Sequence, residues 1–318
     1  MNDGVSIRIE RYSPPAADAW GHVLRDARNG IFQFERGYVE YHGDRFEDMS
    51  AIAWVNGRPC AIMPAAFDRA GCKVVSHPGL TFGGPVFVRD LRGGVALSVI
   101  DELLHAFRDW GAKSCLVKLL PQALAAYPSA EADYALWRRG FSLVRRDLSS
   151  LLPLGDAMPF NASKMQAVRK AIKHGVQVGD VPLPVFHALL HEVLHAQHGT
   201  SPVHHLDELL LLYGRFPAEI AVRGAMLDQQ LLAGTLIFKY GRVWHTQYLA
   251  SSDEGRRLGA LDLVMARLMQ EAAEAGATHL SFGTSSIDQG MDINYGLLWQ
   301  KESFGARALV HDFMEGKL

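Results

Sequence analysis

Hydrophobic residues recur along the first half of this chain with the periods of short strands and one long helix. Asn56 and Gly57 predict a hairpin turn between the first two strands, and Gly111 predicts the end of the helix. The predicted strands are MSAIAWV, PCAIMPAAF, CKVVSH, SCLVKLL and SLVRRDLSSL, and the helix is VALSVIDELLHAFRDW. This pattern predicts an α/β domain with a mixed sheet.

The second half of the chain repeats this order of elements. Its strands are EIAVRGAML, LLAGTLIFKY, VWHTQYLA, HLSFGTS and ARALVHDFME, and its helix is LGALDLVMARLMQEAAEA. The segments DYALWRRGFSLVRRD and NYGLLWQKESFGARALVHD are similar in pattern and in residues. We therefore predict a duplicated fold with domains at residues 1–155 and 156–318, the second of which includes a helical segment at 160–202.

The helical segment contains a cationic helix, ASKMQAVRKAIKHG, followed by PVFHALLHEVLHAQHG. The cations of the first helix are Lys164, Arg169, Lys170, Lys173 and His174. A charge run of this kind is most often a solvated face, which here would turn Met165, Val168 and Ile172 inward. Alternatively, it attracts a phosphate-rich ligand such as a nucleotide sugar, coenzyme A or a tRNA end.

Composition narrows the classes of function. The chain has 318 residues, is 48% hydrophobic and carries a formal net charge of −2, so bulk charge favours neither DNA nor a membrane surface as the partner. The 3 cysteines lack CxxC spacing, which is typical of a reducing compartment. No secretory signal or spanning apolar run is visible, and we expect a cytoplasmic protein without integral membrane contact.

One short motif suggests a metal. His191, Glu192 and His195 match the HExxH zinc signature, in which two imidazoles one helical turn apart bind zinc beside a basic glutamate. A longer form of the motif would need Gly at 198 and His at 201, which are His198 and Ser201 here. The helical pattern places these histidines opposite the apolar face, where side chains are usually solvated. We expect no metal, and a zinc hydrolase is the alternative.

The segment SSDEGRRLGALDL joins a strand to a helix and is the best candidate for an anion site. Amides at a helix N-terminus bind anions, and Gly255 and Gly259 permit close approach of a ligand to the backbone. The predicted binding residues are Arg256, Arg257, Leu258, Gly259 and Ala260. Ordinary turn formation explains the same residues equally well. The nucleophile, dinucleotide and P-loop motifs GxSxG, GxGxxG and GxxxxGK[ST] are absent from the sequence.

This strand, Arg-x-x-Gly-Ala loop, helix and strand order resembles the acyl-CoA-binding core of the GNAT acetyltransferase superfamily. The duplicated form, with VRKAIKHGVQV between the halves and WQKESFGAR near the end, is similar to the FemAB-related branch, including members linked with cell-surface polysaccharide metabolism. Arg256, Gly259 and Ala260 match the GNAT phosphate motif when one intervening residue is dropped. The resemblance implies two tandem GNAT-like domains with mixed α/β sheets.

The resemblance also implies a reaction, the transfer of an acyl group to an amine. The implied co-substrate is acyl-CoA, with acetyl-CoA as the first candidate, and the implied acceptor is an amine of a small molecule or of a cell-envelope precursor. A first alternative is FemAB-like transfer from charged tRNA to a cell-wall precursor. A second alternative is a GNAT-like binding module without catalysis.

Three residues are the predicted catalytic groups under this resemblance. His245 is the base candidate because its reference pKa lies near neutrality, although a hydrogen-bonded strand histidine is an equal alternative. Tyr248 could protonate the leaving group, and Lys301 matches the lysine that holds the donor's carbonyl or phosphate. The predicted acceptor-side residues are His77, Gly79, Thr81, Phe82, His204, Asp288, Asp292 and Tyr295.

Overall fold

The structure, a computed structural model, describes residues 4–155 and 160–318. These residues form two compact units. The first unit contains the chain up to Asp147 with Gln289–Met291 and Val310–Leu318, and the second contains Leu148–Asp288 and Asp292–Leu309. The predicted domain boundary between residues 155 and 156 adjoins residues 156–159, which lie outside the described residues.

The first unit is an α/β assembly whose strand order is β1-β3-β4-β7 in one sheet and β17-β8-β6-β5-β2 in a second set of paired strands, to which β17 (Arg307–Lys317) contributes its last residues. Its strands are β1 (Ile7–Arg11), β2 (Glu47–Asp48), β3 (Ala51–Val55), β4 (Arg58–Met63), β5 (Ala66–Asp68), β6 (Lys73–Val75), β7 (Val86–Phe87), β8 (Ser114–Lys118) and the start of β9 (Ser142–Pro153). Its helices are α1 (Ala17–Arg25), α2 (Arg36–Val39), α3 (Gly93–Asp109) and α4 (Glu131–Arg138).

The second unit has a mixed sheet with strand order β10-β11-β12-β13-β14-β9. Its strands are β10 (Gln177–Asp180), β11 (Ile220–Leu227), β12 (Gln230–Tyr240), β13 (Val243–Ser251), β14 (His279–Thr284), β15 (Ser286–Ile287), β16 (Asp292–Ile293) and the start of β17 (Arg307–Lys317). Its helices are α5 (Ala162–Lys173), α6 (Leu183–His198), α7 (Leu206–Arg215), α8 (Asp253–Leu258), α9 (Ala260–Glu274) and α10 (Tyr295–Ser303).

Helices cover both faces of this second sheet. On one face Ile237 and Trp244 pack with Met265 and Leu268 of α9 in a buried apolar cluster. On the other face Phe186 of α6 lies so close to Gly234 that any side chain there would collide with its ring. The apolar period of 3.6 in α9 and the near-continuous apolar run in β12 have the same cause, which is burial between these layers. The predicted α/β class with mixed sheets is confirmed.

The junction between β13 and α9 differs from the predicted loop. Arg256 to Leu258 belong to the short helix α8, which begins at the Ser252 cap, and Gly259 then turns the chain into α9 with φ of 78°. The two glycines of the junction do permit close approach, but the approaching group is the protein's own backbone. A Cβ on Gly259 would lie 2.5 Å from the Ala167 carbonyl oxygen, and one on Gly255 would overlap the Leu232 carbonyl.

Helix α5 is clamped onto this junction by two of its lysines. Lys164 Nζ lies 2.6 Å from Asp262 Oδ1 in the first turn of α9. Lys170 Nζ donates to the Arg257 carbonyl oxygen at 2.6 Å, near the C-terminus of α8. A cation at a helix C-terminus and a carboxylate at a helix N-terminus both complement the helix dipole. The clamp therefore stabilises the turn at Gly259 from outside.

The predicted orientation of α5 is wrong at two positions. Val168 is buried as expected, but Met165 and Ile172 are exposed. The buried face consists of Val168 and Ala171, and it is oriented by Lys164 and Lys170, which reach Asp262 and the Arg257 carbonyl oxygen. The apolar pattern was therefore an unreliable guide to the inner face. No helix of the described part of the chain combines the length and apolar character needed to cross a membrane.

We predict that Gly259→Ala is considerably more destabilising than Gly276→Ala. Both glycines have positive φ at the ends of α9, but a Cβ at Gly276 meets no atom within 4 Å, whereas at Gly259 it meets Ala167. Gly276→Ala should cost about 1 kcal/mol for the left-handed conformation. Gly259→Ala should cost about 3 kcal/mol because overpacking is added. Urea unfolding of both variants measures this, and equal losses would contradict the packing role.

Candidate functional site

The central feature of the second unit is the point where two parallel strands separate. β13 pairs with β14 only from Val243 to His245, opposite His279 to Ser281. β13 then continues to Ser251 along β12, while β14 continues to Thr284 along β9. In the described residues, one edge of β13 beyond His245 is therefore without a neighbouring strand, and backbone groups on such an edge can bind a ligand.

Both strands carry an irregularity directly after the point of separation. In β13 the register with β12 shifts so that Gln247 is an extra residue, and in β14 the register with β9 shifts so that Phe282 is one. A bulge bends its strand and increases the local twist. Two bulges at the same level, one on each strand, account for the separation.

His245 lies at the last paired position and joins the two strands. Its Nδ1 lies 3.0 Å from Ser281 Oγ, and its ring stacks on Tyr240. The side chain is only 5% exposed. Burial, and secondarily the nearby Lys301 ammonium, lower the pKa of His245 to about 4. The imidazole is therefore neutral at physiological pH and can accept a proton only weakly.

Tyr248 lies on the same face of β13 as His245 because of the bulge. His245 faces Phe238 and Tyr248 faces Leu236, so the extra residue Gln247 keeps positions 245 and 248 in phase. Tyr248 is half-buried. Its hydroxyl oxygen lies 2.6 Å from Nδ1 of His204 and accepts from the backbone N–H of His204 at 3.4 Å. The structure thus brings together two residues that the sequence analysis predicted for different roles.

Lys301 is a buried residue of α10, with 3% exposure. Its Nζ donates to the carbonyl oxygens of Gly283 and Thr284 at 2.9 and 2.6 Å and to Ser285 Oγ at 3.0 Å. Burial lowers the pKa of Lys301 to about 8, so the ammonium remains the main form at pH 7. Its three N–H groups match these three acceptors. Donation to a substrate would require one of these bonds to be exchanged.

The predicted anion-binding residues separate into buried and exposed groups. Leu258 and Ala260 are buried in the apolar cluster under α5. Arg256 pairs with Asp253 and also donates to the Ser251 carbonyl at 2.8 Å, and Arg257 pairs with Glu254 at 3.1 Å. Both guanidinium groups are largely exposed, so a ligand phosphate could compete for them. The Gly259 N–H already donates to the Arg256 carbonyl at 3.3 Å, so the two guanidinium groups are the exposed donors of this junction, and anion binding here stays a prediction.

The acceptor-side residues predicted in the first half lie in a loop of the first unit. His77 is buried with φ of 57°, and burial together with His42 lowers the pKa of His77 to about 3. Gly79 packs directly against the His42 ring, leaving no room for a Cβ. Lys118 Nζ donates to the carbonyl oxygens of Pro78, at 3.3 Å, and Leu80. This loop is therefore held rigidly by a buried lysine.

The other two residues of that loop have different surroundings. Thr81 is exposed, whereas Phe82 is buried and packs edge to face on His311 at 4.9 Å between ring centroids. Burial lowers the pKa of His311 to about 4. His42, Lys118 and His311 were not predicted from the sequence. The sequence did contain a signal for Lys118, which is the one charged residue in the apolar strand SCLVKLL. A buried ammonium needs hydrogen-bond acceptors around it, so such a lysine indicates a polar contact inside the fold.

Three further acceptor-side predictions lie beyond β14. Asp288 has φ of 47° in a short 3₁₀ turn, Asp292 Oδ1 accepts from the Ile293 amide at 2.8 Å, and Tyr295 at the start of α10 is 72% exposed. The described contacts do not join any of them to His245 or Tyr248. Their binding role stays a prediction. The sequence analysis missed three residues that do contact His245 or Lys301, namely Ser281, Gly283 and Ser285. Small residues at alternate positions near the end of a strand could have indicated them.

The HExxH histidines lie on the exposed face of α6. His191 and His195 stack at 6.2 Å between ring centroids, and Ser201 Oγ lies 3.3 Å from His191 Nε2. Among the side chains that the structure describes, no three from His, Cys, Asp or Glu are close enough to hold a metal ion. Among the described side chains the motif therefore lacks a third ligand.

Part of the sequence matches a known protein family. The family described as acetyltransferase (GNAT) domain matches residues 162–290. This range contains the separating strands, α8 and α9. No curated protein matches the chain.

Solved structures of similar fold cover nearly the whole chain. FemX superposes with a TM-score of 0.71 at 14% identity, covering 98% of this chain and 97% of FemX. L-PGS from Bacillus licheniformis gives 0.61 at 15% identity, with 96% and 92% covered. A tandem GNAT protein from the clavulanic acid biosynthesis pathway gives 0.54 at 10% identity, with 98% of each chain covered. At these identities the likeness shows the fold: the chain has a GNAT-superfamily, FemAB-related fold in a tandem arrangement.

Proposed function

We propose that this protein is an N-acyltransferase that moves an acyl group from acyl-CoA, with acetyl-CoA as the first donor, to a primary amine. The observation that carries the proposal is the separation of β13 from β14 after His245 and Ser281. An extended donor arm can add to the open edge of β13 by backbone hydrogen bonds, as a strand would. The match of residues 162–290 to a GNAT domain supports the same placement.

The chemistry needs three things from the site. The amine must approach the carbonyl carbon of the acyl donor, and it must lose a proton. Negative charge then develops on the carbonyl oxygen, and hydrogen-bond donors of the protein must stabilise it. Backbone N–H groups on the open edge of β13 are the proposed donors to this oxygen. Lys301 contributes by donating to the carbonyl oxygens of Gly283 and Thr284. These hydrogen bonds fix the end of β14, and we propose that they keep it away from the open edge of β13. His245 remains a predicted base.

The donor phosphates are proposed to bind at the junction of α8 and α9. The exposed guanidinium groups of Arg256 and Arg257 and the first amides of α9 all lie there. These arginines are paired with Asp253 and Glu254. A phosphate could replace the carboxylates at little cost, since an exposed ion pair contributes less than about 1 kcal/mol to stability. Leu258, Gly259 and Ala260 shape the turn from beneath.

A second candidate is transfer from aminoacyl-tRNA, and a specific observation favours it. The outer face of α5 presents Arg169 and Lys173 to solvent, and this helix has no acidic residue. The likeness to FemX and to L-PGS extends over nearly the whole chain. An exposed cationic helix beside the proposed donor site is suited to a phosphate backbone. The acceptor would then be a cell-wall precursor or a lipid headgroup amine.

Binding measurements separate the two donors. The intact chain is titrated with acetyl-CoA, with longer acyl-CoAs, and with charged and uncharged tRNA, and the melting temperature and affinity are recorded. A ligand bound only by the folded state raises the melting temperature. A rise with acyl-CoA supports the first proposal. Binding to charged tRNA without any rise with acyl-CoA supports the second, and no binding of either donor favours a module without catalysis.

We predict that Arg257→Ala weakens CoA binding about tenfold, the effect of losing roughly one charge-assisted hydrogen bond. The matched control is Arg267→Ala, an exposed arginine further along α9 whose described hydrogen bond is to the Gln270 side chain on its own helix. Isothermal titration with free CoA measures both variants. Equal affinities for wild type and Arg257→Ala, or equal losses in both variants, would move the phosphate site elsewhere.

We predict that Lys301→Met lowers both stability and turnover. Methionine leaves two partly buried carbonyls and Ser285 Oγ without this donor, which should cost about 2–4 kcal/mol of unfolding free energy. The control Lys173→Met removes an exposed lysine and should leave the unfolding curve nearly unchanged. Urea unfolding and acetyl-CoA turnover are measured together. Unchanged stability with lost turnover would instead favour a direct action of Lys301 on the donor.

A further inference from the structure

Tyr248 and His204 are joined by two hydrogen-bond contacts. The backbone N–H of His204 can only donate, so the Tyr248 oxygen accepts from it at 3.4 Å. The Gln247 side chain also forms a hydrogen bond with the Tyr248 hydroxyl, which acts to lower the pKa of Tyr248. In the 2.6 Å contact the phenol can donate its proton to His204 Nδ1 when that nitrogen is unprotonated. The relay uses the tautomer of His204 that carries its proton on Nε2.

Tyr248 also lies where a reacting amine could reach it. It is three residues beyond the end of the β13–β14 pairing, on the segment with the open edge. It is half-buried, whereas His245 is buried and committed to Ser281. A group that exchanges protons with substrate must come within hydrogen-bond distance of it. Of the two predicted catalytic residues on β13, Tyr248 is the accessible one.

We propose that Tyr248 and His204 form a proton relay for the acyl transfer. The amine nitrogen bonds to the acyl carbon and gives its proton to the Tyr248 oxygen, while the phenol proton moves to Nδ1 of His204. The carbon–sulfur bond then breaks. The imidazolium returns its proton to the Tyr248 oxygen, and the phenol gives its proton to the thiolate. The sum is amine plus thioester giving amide plus thiol, and both residues return to their starting states.

The surroundings of the pair fit a transient imidazolium. His187 lies on α6, and its Nε2 is 3.2 Å from the His204 carbonyl oxygen. Glu208 lies in the first turn of α7 and accepts a hydrogen bond from the backbone N–H of His205. Burial is the largest cause that raises the pKa of Tyr248, and the Glu208 charge is a smaller one. The carboxylate is a negative charge within range of the pair and would favour positive charge on His204. The titratable groups with contacts to the pair or its backbone are therefore His187 of α6 and Glu208 of α7, and His205 precedes α7.

This relay rests on the proposed acyl-transfer function, and within it His204 acts only through Tyr248. The discriminating variant is therefore His204→Asn, because the asparagine Oδ1 can accept the phenol's hydrogen bond but cannot take its proton at neutral pH. A role limited to orienting Tyr248 would survive this change. A role in accepting the proton would not.

The test uses the full chain with acetyl-CoA as donor and glucosamine as the probe amine, and follows thiol release against pH. Tyr248→Phe and His204→Asn should each lower kcat by about 100-fold or more, the usual range for an acid–base group. KM for acetyl-CoA should change by less than about threefold, because the donor contacts remain. The acidic limb of kcat at saturating glucosamine should be lost in both variants and kept in His245→Gln, which removes the alternative base.

Two results would overturn the relay in this assay. One is near wild-type turnover in His204→Asn, and the other is loss of the acidic limb in His245→Gln alone. If wild type shows no turnover of acetyl-CoA, the proposed donor has failed, and the relay is then judged by ¹⁵N NMR of histidine-labelled protein. Tyr248→Phe should move the Nδ1 resonance of His204, and an unmoved resonance would show that the phenol does not donate to it.

Discussion

The separation of β13 from β14 is the constraint on which the candidate site depends. Parallel strands in a sheet normally stay paired because every lost backbone hydrogen bond must be replaced. Here the pairing stops at His245 and Ser281, and extra residues at Gln247 and Phe282 turn the two strands apart. Each strand keeps its other neighbour, so the sheet remains continuous on both sides. The open edge is thus built into the register of the fold.

Buried basic groups hold the loops beside this edge and, separately, a loop of the first unit. Lys301 binds three oxygens at the end of β14, and Lys118 binds two carbonyls in the loop after β6. Each ammonium replaces hydrogen bonds that an irregular chain would otherwise make to water. The lowered pKa values of both lysines, about 8, reflect the cost of burying that charge. Such lysines fix backbone conformation, whatever further chemistry they perform.

The β13 bulge also decides which side chains can act together. Without the extra residue Gln247, positions 245 and 248 would point to opposite faces, since side chains alternate along a strand. With it, His245 and Tyr248 share the face covered by α6, and Tyr248 reaches the connection between α6 and α7. A histidine from that connection then completes the pair. Proximity here is a product of one inserted residue.

The sequence alone determined the class of fold and most elements, because periods of two and 3.6 reflect burial on one face, and burial is encoded locally. Strand β12 and helix α9 end within two residues of where the pattern places them. Only the tertiary structure decided that Gly259 accommodates Ala167, that Lys301 is buried, and that His204 meets Tyr248. These facts depend on contacts between residues far apart in the chain and on a register shift, which leave no periodic trace in the sequence.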